Sequence, residues 1–329
     1  MQGLHLRGGW GIVCLEVNAF MIVDTTKPIT SAAAEAMLAQ LVATYPFVRS
    51  ELLTTTAFGR PVTALVIGTG PRKVLYTAAH HANEWITALV LLKFAEQYAQ
   101  AIAAGGEIFS QNARTLAEQT TLYMVPLVDP DGVDLVTGAI PVDSDQYRQA
   151  QRLAQNYPYI PFPDGWKANL LGVDLNLQYP AGWLQAREIK FSQGFTQPGP
   201  RDYVGRAPLD QKESRALADY TEQIDPALVL AYHTQGGEIY WQFEDIFVPG
   251  ARELGEEFAR LSGYTLADTP YNSSFAGFKD WFIKYFRRPG YTIEAGRGEN
   301  PLPVSQFDEI YQDNLGILVT ALLPGPDQG

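Results

Sequence analysis

The sequence predicts an α/β protein made of a single domain, with a mixed, mostly parallel β-sheet and helices on both faces. Short apolar runs rich in Val, Ile and Tyr alternate with longer helical patterns along most of the 329 residues. Such alternation is typical of a largely parallel sheet that is covered on both sides. No repeat, low-complexity tract or linker divides the chain, so one domain is the simplest interpretation.

The individual elements follow from the local pattern. Five apolar runs, each followed closely by Gly, Asp, His or Glu, are predicted as buried strands: residues 64–67, 74–78, 122–128, 227–232 and 291–293. Helical periodicity predicts helices over residues 30–45, 85–101, 213–223, 251–261 and 306–323. Residues 138–200 contain repeated prolines and are predicted as a long ordered loop. This loop is expected to form part of the wall of a binding site.

Composition and charge exclude several classes of function. Asp and Glu number 36 against 24 Lys and Arg, and the net charge of -12 repels nucleic acid and anionic lipid. The apolar run over residues 10–23 is interrupted by Glu16 and Asn18, so no membrane partner is expected. The single cysteine, Cys14, excludes an internal disulfide and a multi-thiolate zinc site, and it fits a cytoplasmic protein.

The start of the chain carries its own expectation. Met21 precedes an ordinary-looking beginning, so residues 1–24 are interpreted as an N-terminal extension from an upstream start site. The functional domain is then expected to span residues 25–329.

Two strand ends carry residues that are able to bind a metal. His81 and Glu84 lie three residues apart where the strand over residues 74–78 gives way to a helix, and His233 ends a second buried strand. Two neutral imidazoles and one carboxylate, with one position left open, form a known ligand set of catalytic zinc. The alternative is that both histidines are ordinary core or turn residues, and spacing alone leaves that choice open.

Further motifs resemble the zinc carboxypeptidase family of the pancreatic type, in the family's order. They are His81-x-x-Glu84-Trp85, Asp129-Pro130-Asp131-Gly132, Gly172-Val173-Asp174-x-Asn176, His233, Asp280-Trp281 and Thr292-x-Glu294. The resemblance implies one Zn²⁺ per chain, bound by His81, Glu84 and His233. His80 also has a helical spacing to Glu84, but the family pattern counts from His81.

The resemblance also implies roles for three other residues. Glu294 matches the catalytic base, and Asp174 matches the carboxylate that orients a zinc-bound imidazole. Lys167 occupies the position where the family has an arginine that stabilises the oxyanion. It keeps the positive charge but lacks the planar guanidinium group that donates two parallel hydrogen bonds. Each residue also has an ordinary structural alternative: a salt-bridged carboxylate for Glu294, a turn cap for Asp174 and a solvated surface lysine for Lys167.

Other positions depart from the digestive enzymes. Leu177 replaces the arginine that holds a substrate's terminal carboxylate, and Asn83 replaces the arginine of the first metal motif. Lys279 falls at the specificity position and would select an anionic group, unless it extends to solvent instead. Tyr271 is the candidate for the family's substrate-covering tyrosine, with a one-residue shift, and Asn176 is a candidate substrate contact.

Several segments are similar to the bacterial branch of the family that cleaves peptidoglycan stem peptides, including gamma-D-glutamyl-meso-diaminopimelate peptidases. One of these segments, residues 233–237, contains Gln235. The carboxylate-rich substrate of that branch suits Lys279, Arg201 and Arg297 as contacts. The expected function is zinc-dependent hydrolysis of gamma-D-glutamyl-diaminopimelate bonds in soluble muropeptides during wall recycling.

Two alternatives remain open at this point. One is a metallocarboxypeptidase that removes acidic C-terminal residues, and the other is a non-catalytic muropeptide-binding protein. A serine hydrolase is discounted because no Gly-x-Ser-x-Gly motif occurs. The sequence makes no prediction of oligomeric state.

Overall fold

The computed structural model describes residues 21–324, so the predicted extension over residues 1–24 lies almost entirely outside the described residues. The helices are α1 Ser31–Thr44, α2 Ile86–Ala104, α3 Ala113–Gln119, α4 Pro130–Val136, α5 Asp145–Ala154, α6 Trp183–Ser192, α7 Lys212–Ile224, α8 Ala251–Ser262, α9 Phe278–Phe286 and α10 Phe307–Thr320. The strands are β1 Val48–Thr55, β2 Pro61–Ile67, β3 Arg72–Ala78, β4 Glu107–Ile108, β5 Gln111–Asn112, β6 Thr120–Val125, β7 Leu228–His233, β8 Glu238–Tyr240, β9 Thr265–Ala267 and β10 Gly290–Glu294. In this described part of the chain, none of the helices has the length and apolar character to cross a bilayer.

Eight strands form one mixed sheet in the order β1-β2-β6-β3-β7-β10-β8-β9. The central strands β6, β3, β7 and β10 run parallel to one another. Antiparallel pairing joins β1 to β2, β2 to β6 and β8 to β10, whereas β8 and β9 are parallel. This architecture confirms the predicted fold class.

The alternation of side chains along the central strands explains why both faces carry helices. In β3, Tyr76 joins one apolar cluster and Leu75 joins the other; in β7, Leu230 and Val229 divide in the same way. The first cluster contains buried residues of α1, α2, α8 and α10. The second contains buried residues of α6, α7 and α9. Because successive side chains of a strand point to opposite faces, each central strand contributes to two cores.

All five predicted strands and all five predicted helices are present, with shifted ends. The prediction of a long loop over residues 138–200 was wrong in part, because α5 and α6 lie within it. The prolines flank these helices instead of interrupting them. Ser144 caps the start of helix α5, and its hydroxyl accepts a hydrogen bond from the Tyr147 amide at 3.1 Å. Its sequence is polar and buries only Ala150 and Ala154, so it lacks a wide apolar stripe.

The sequence pattern also did not predict the strands β1, β4, β5, β8 and β9 or the helices α3, α4 and α9. β1 is an edge strand whose residues are mostly exposed or half-buried, so it has no continuous apolar run. The missed elements leave the centre of the sheet unchanged. The carboxyl ends of β3, β7 and β10 therefore meet at one edge, where α/β folds bind ligands.

Candidate active site

A tight turn after β3 directs His81 and Glu84 to the same place. Ala79 adopts a left-handed conformation with φ of 49°, and its amide donates to the Thr87 hydroxyl at 3.0 Å. The Thr87 hydroxyl in turn donates to the Glu84 carbonyl at 2.7 Å. The turn continues into a short 3-10 helix, Ala82–Glu84, that begins directly after His81. His81 Nδ1 consequently lies 2.9 Å from Glu84 Oε1.

His233 reaches the same carboxylate from the end of β7. Its Nδ1 lies 2.9 Å from Glu84 Oε2 and 3.3 Å from His81 Nδ1. The Thr234 amide also donates to Glu84 Oε2 at 3.2 Å. The two oxygens of one buried carboxylate therefore face two imidazoles, one each.

These three side chains fit a zinc ion. Their donor atoms all lie within 4.8 Å of one another. Two zinc bonds of about 2.0–2.1 Å at a tetrahedral angle place their donors about 3.3 Å apart. The separation between the two Nδ1 atoms is also 3.3 Å. The set leaves a fourth position open, as catalytic zinc sites do.

The protonation of the three groups also suits a cation. Burial opposes ionisation of Glu84, but Lys167 and His81 hold its pKa well below the usual range. Burial lowers the pKa of His233 and favours the neutral imidazole. Burial also lowers the pKa of His81, but Glu84 and Asp174 outweigh that effect and raise it to about 9. A cation binding at His81 must therefore displace a proton.

Asp174 fixes the orientation of the His81 ring. Its Oδ1 lies 3.1 Å from His81 Nε2, which leaves Nδ1 to face Glu84. Burial raises the pKa of Asp174, but the charge and hydrogen bond of His81 more than offset this, so the pKa lies below its ordinary value. A carboxylate on the far nitrogen fixes the tautomer of a metal-binding imidazole.

His80 lies outside this group of donor atoms. Its ring is fully buried and stacks on the His233 ring, with centroids 5.6 Å apart and planes at 21°. Its Nε2 lies 3.3 Å from the Tyr179 hydroxyl. The structure therefore brings His81, and not His80, together with Glu84 and His233.

Glu294 ends β10 and lines the same cavity as the three donor residues. Its position in the sheet is directly opposite His233. Burial and the negative charge of Glu84 raise the pKa of Glu294 to about 8, against the opposing effect of Lys167. A cation beside Glu84 would offset that repulsion and favour the carboxylate form.

Several other residues predicted to belong to the site also line this cavity. They are Lys167, Asp174, Asn176, Lys279 and Arg201, together with Leu177 at the position of the lost arginine. The Asn176 side chain accepts a hydrogen bond from the Phe278 amide at 3.0 Å, which ties it to the start of α9. Lys167 Nζ lies 2.8 Å from Glu84 Oε1, so a cation stands next to the proposed ligand set.

Lys279 differs from its predicted role as a free pocket cation. Its Nζ lies 2.6 Å from Asp280 Oδ1 and donates to the Gln242 carbonyl at 2.6 Å. Only 4% of either charged side chain is exposed. The lysine is therefore in the cavity wall, but Asp280 neutralises its charge.

Four predicted substrate contacts are not among the cavity-lining residues within 21–324: Asn83, Gln235, Tyr271 and Arg297. Asn83 is buried and donates to the Asp164 carbonyl at 3.1 Å, which ties it to a neighbouring loop. Gln235 and Arg297 are exposed on the loops that follow β7 and β10. Tyr271 is 68% exposed and packs against Phe275, outside the cavity wall.

The cavity residues that the sequence interpretation missed include two charged ones, Lys190 and Asp202. Lys190 Nζ lies 2.6 Å from Asp202 Oδ1, and Arg201 Nε donates to Asp202 Oδ2 at 2.7 Å. Lys190 belongs to α6, which lies inside the segment predicted as loop. The sequence interpretation therefore did not assign Lys190 to a face of a helix. The adjacent opposite charges of Arg201 and Asp202 were the one available signal.

Comparison with known proteins gives concordant matches. The zinc carboxypeptidase family matches residues 34–316. Gamma-D-glutamyl-L-diamino acid endopeptidase 1 of Lysinibacillus sphaericus is 43% identical over 278 residues, covering 84% of this chain and 68% of that protein. Protein YqgT of Bacillus subtilis (strain 168) is 37% identical over 302 residues, covering 91% and 78% of the two chains. Bovine thrombin-activatable fibrinolysis inhibitor, solved with tick carboxypeptidase inhibitor, superposes with a TM-score of 0.68 at 15% identity, covering 91% and 97%.

Proposed function

Since the chain belongs to the zinc carboxypeptidase family and is a zinc-dependent metallopeptidase, we propose that it hydrolyses the bond between gamma-D-glutamate and a diamino acid in peptidoglycan stem peptides. The observation that carries the proposal is the 43% identity to an endopeptidase named for that bond. One zinc per chain is proposed, held by His81, Glu84 and His233, the donor group found among residues 21–324.

The cavity residues support a hydrolytic mechanism. A zinc ion bound there supplies Lewis-acid polarisation of the scissile carbonyl and lowers the pKa of a water molecule. Glu294 takes one proton from the water as its oxygen bonds to the carbonyl carbon. Glu294 then delivers that proton to the diamino acid nitrogen as the C–N bond breaks. Such general acid–base work contributes about a hundredfold to ten-thousandfold.

Two other residues assist without exchanging protons. Lys167 places a positive charge beside Glu84, where it stabilises the negative oxygen that develops on the carbonyl. Asp174 holds the His81 ring so that Nδ1 faces the donor group. Both act through position and charge.

Leu177 supports a substrate other than an ordinary C-terminal peptide. Its side chain lines the cavity and is 8% exposed. An apolar side chain provides no partner for the terminal carboxylate that digestive carboxypeptidases bind with arginine. The second candidate function, removal of acidic C-terminal residues, is favoured by the cation Arg201 in the same cavity.

A direct assay separates the two candidates. The zinc-loaded protein is incubated with L-Ala-gamma-D-Glu-meso-diaminopimelate, and released diaminopimelate is measured by mass spectrometry. A peptide ending in L-glutamate serves as the comparison. Release of diaminopimelate supports the proposal, whereas cleavage of the glutamate peptide alone supports the second candidate.

The setting of the reaction is also a proposal. The chain has one cysteine among 329 residues, a composition that fits a reducing compartment. We therefore propose soluble muropeptides in the cytoplasm as the substrate pool, during wall recycling. Fractionation of cells followed by immunodetection tests this location.

A further inference from the structure

We propose that Arg201 binds a carboxylate of the substrate and takes over the anchoring role that the family assigns to an arginine at position 177. Asp202 and Lys190 hold it in place. This inference rests on the proposed function, because it assigns a partner to one of the carboxylates that a gamma-D-glutamyl-diamino acid carries.

The hydrogen bonding of Arg201 leaves most of its guanidinium free. Its Nε donates to Asp202 Oδ2 at 2.7 Å. Within residues 21–324 that carboxylate is its hydrogen-bond partner, and neither terminal nitrogen has one. The side chain is 39% exposed and lines the cavity that also contains His81 and Glu294. A planar pair of terminal nitrogens matches the two oxygens of a carboxylate.

The position of Arg201 is fixed by buried contacts. Asp202 accepts a hydrogen bond from Arg201 Nε on one oxygen, and its other oxygen forms an ion pair with Lys190 Nζ at 2.6 Å. The exposed fractions of the Asp202 and Lys190 side chains are 13% and 10%. A carboxylate held between two cations has little freedom, so it orients the guanidinium before a ligand arrives.

The same contacts connect Arg201 to the proposed metal ligands. Asp202 adopts a left-handed backbone conformation with φ of 65°. Its amide donates to Asp174 Oδ2 at 3.3 Å, and the other oxygen of Asp174 holds the His81 ring. A substrate carboxylate bound at Arg201 is thereby held at a defined distance from the reaction centre.

Charge distribution favours Arg201 over the other cavity cations. Lys167 is paired with Glu84, and Lys279 is paired with Asp280. Lys190 and Arg201 share the single carboxylate of Asp202, so that group of three has a net charge of +1. An anion gains most where positive charge is in excess and donors are unoccupied.

The experiment removes one substrate carboxylate at a time. The parent substrate is L-Ala-gamma-D-Glu-meso-diaminopimelate. One analogue carries D-isoglutamine, which replaces the glutamate α-carboxylate by an amide. A second carries L-lysine, which lacks the distal carboxylate, and a third carries the diamino acid as its α-amide. Initial rates give KM and kcat for the wild type, R201Q, R201K and R206Q.

Arg206→Gln is the matched control, because Arg206 is 90% exposed and is not a cavity-lining residue. Arg201→Gln is expected to raise KM for the parent about 10- to 100-fold with kcat nearly unchanged, as loss of a bidentate charged pair remote from the reacting bond predicts. Arg201→Lys recovers part of the loss. One analogue is expected to be a poor substrate of the wild type and of R206Q. The same analogue is expected to be cleaved by R201Q no less well than the parent. The carboxylate that this analogue lacks is the one that Arg201 binds.

The proposal is overturned if R201Q discriminates against every analogue as strongly as the wild type does, or if its KM for the parent is unchanged. Failure of the proposed function gives a different result, since the wild type then releases no diamino acid from the parent. In that case the acid and amide forms of whichever peptide is cleaved are compared instead. A wild-type preference for the acid that R201Q loses supports the role of Arg201, and a preference that R201Q keeps overturns it.

Discussion

Glu294 is the register partner of His233 on two adjacent parallel strands, β10 and β7. Neighbouring strands lie about 4.8 Å apart, so each strand delivers its last side chain to the same edge of the sheet. Glu294 and His233 are 61 positions apart in the sequence, and the pairing of their strands makes them neighbours. This register places the proposed base, Glu294, directly beside a proposed metal ligand, His233, on the adjacent strand.

Replacing Glu294 by Gln is expected to lower kcat by about a hundredfold to ten-thousandfold, because the amide cannot accept the proton of the water. Zinc content is expected to remain, since Glu294 is not in the donor group of His81, Glu84 and His233. Steady-state kinetics on the muropeptide and elemental analysis measure the two effects.

The control for that substitution is Glu238→Gln. Glu238 is the antiparallel register partner of Glu294, on β8, and it bonds the Tyr240 hydroxyl. It is not a cavity-lining residue in the described part of the chain. Its loss is expected to change kcat by less than about tenfold, a smaller effect than removal of a general base. Equal losses from both substitutions would contradict the assignment of Glu294.

Substitution of the two adjacent histidines separates the ligand from its neighbour. His81→Gln is expected to weaken zinc binding by more than about 100-fold. This exceeds the usual effect of changing a residue that only hydrogen-bonds to a metal ligand. His80→Gln is expected to keep zinc, because His80 bonds Tyr179 and lies outside the donor group. Competition with a chromophoric chelator measures affinity on folded protein. Zinc retained by H81Q and lost by H80Q would reverse the assignment.

Leu177→Arg is expected to increase kcat/KM for ordinary C-terminal peptides about 10- to 100-fold, the gain from one charged hydrogen-bonded pair. Leu177→Gln is a matched control, because it adds polarity of similar size without charge. Thermal unfolding of both variants checks that the cavity wall tolerates the change, since Leu177 is 8% exposed. An unchanged kcat/KM in folded L177R would show that this position does not limit carboxypeptidase activity.

Glu213 predicts a pH dependence of stability away from the active site. Burial, with a contribution from the charge of Asp131, raises its pKa from 4.5 to about 7 against a hydrogen bond from Asn169. The unfolded chain therefore loses the proton at lower pH than the folded chain does. The free energy of unfolding falls as pH rises from about 4.5 to about 7, by at most about 3 kcal/mol.

Glu213→Gln removes this titration, so the variant is expected to be more stable than the wild type at pH 8 and closer to it at pH 4.5. Glu222→Gln, an exposed position on the same helix, is the control. Urea unfolding across pH 4.5–8 gives the free energies. A gain of equal size at both ends of the range would rule out the titration of Glu213 as its cause.

Local pattern was sufficient for the elements that bury apolar side chains on both faces. The runs that became β3, β7 and β10 are continuous and apolar, because strands between two helical layers have no solvated face. The edge strand β1 and the polar helix α5 escaped prediction for the opposite reason. Each has few buried residues, so neither carries a strong periodic signal.

The amino-acid sequence establishes the fold class, the family resemblance and the small set of histidines and carboxylates available for chemistry. Those follow from residue types and short spacings, which a linear chain already contains. The folded structure adds that Asp280 neutralises Lys279, that Asn83 bonds a loop carbonyl, and that Lys190, Asp202 and Arg201 form one charged group. Such pairings depend on which side chains the packing of α6, α9 and the intervening loops brings within about 3 Å, the range of a charged hydrogen bond. Adjacency in the sequence, as for Lys279 and Asp280, does not establish a contact of that length, because the side-chain rotamers and the packing around them decide it.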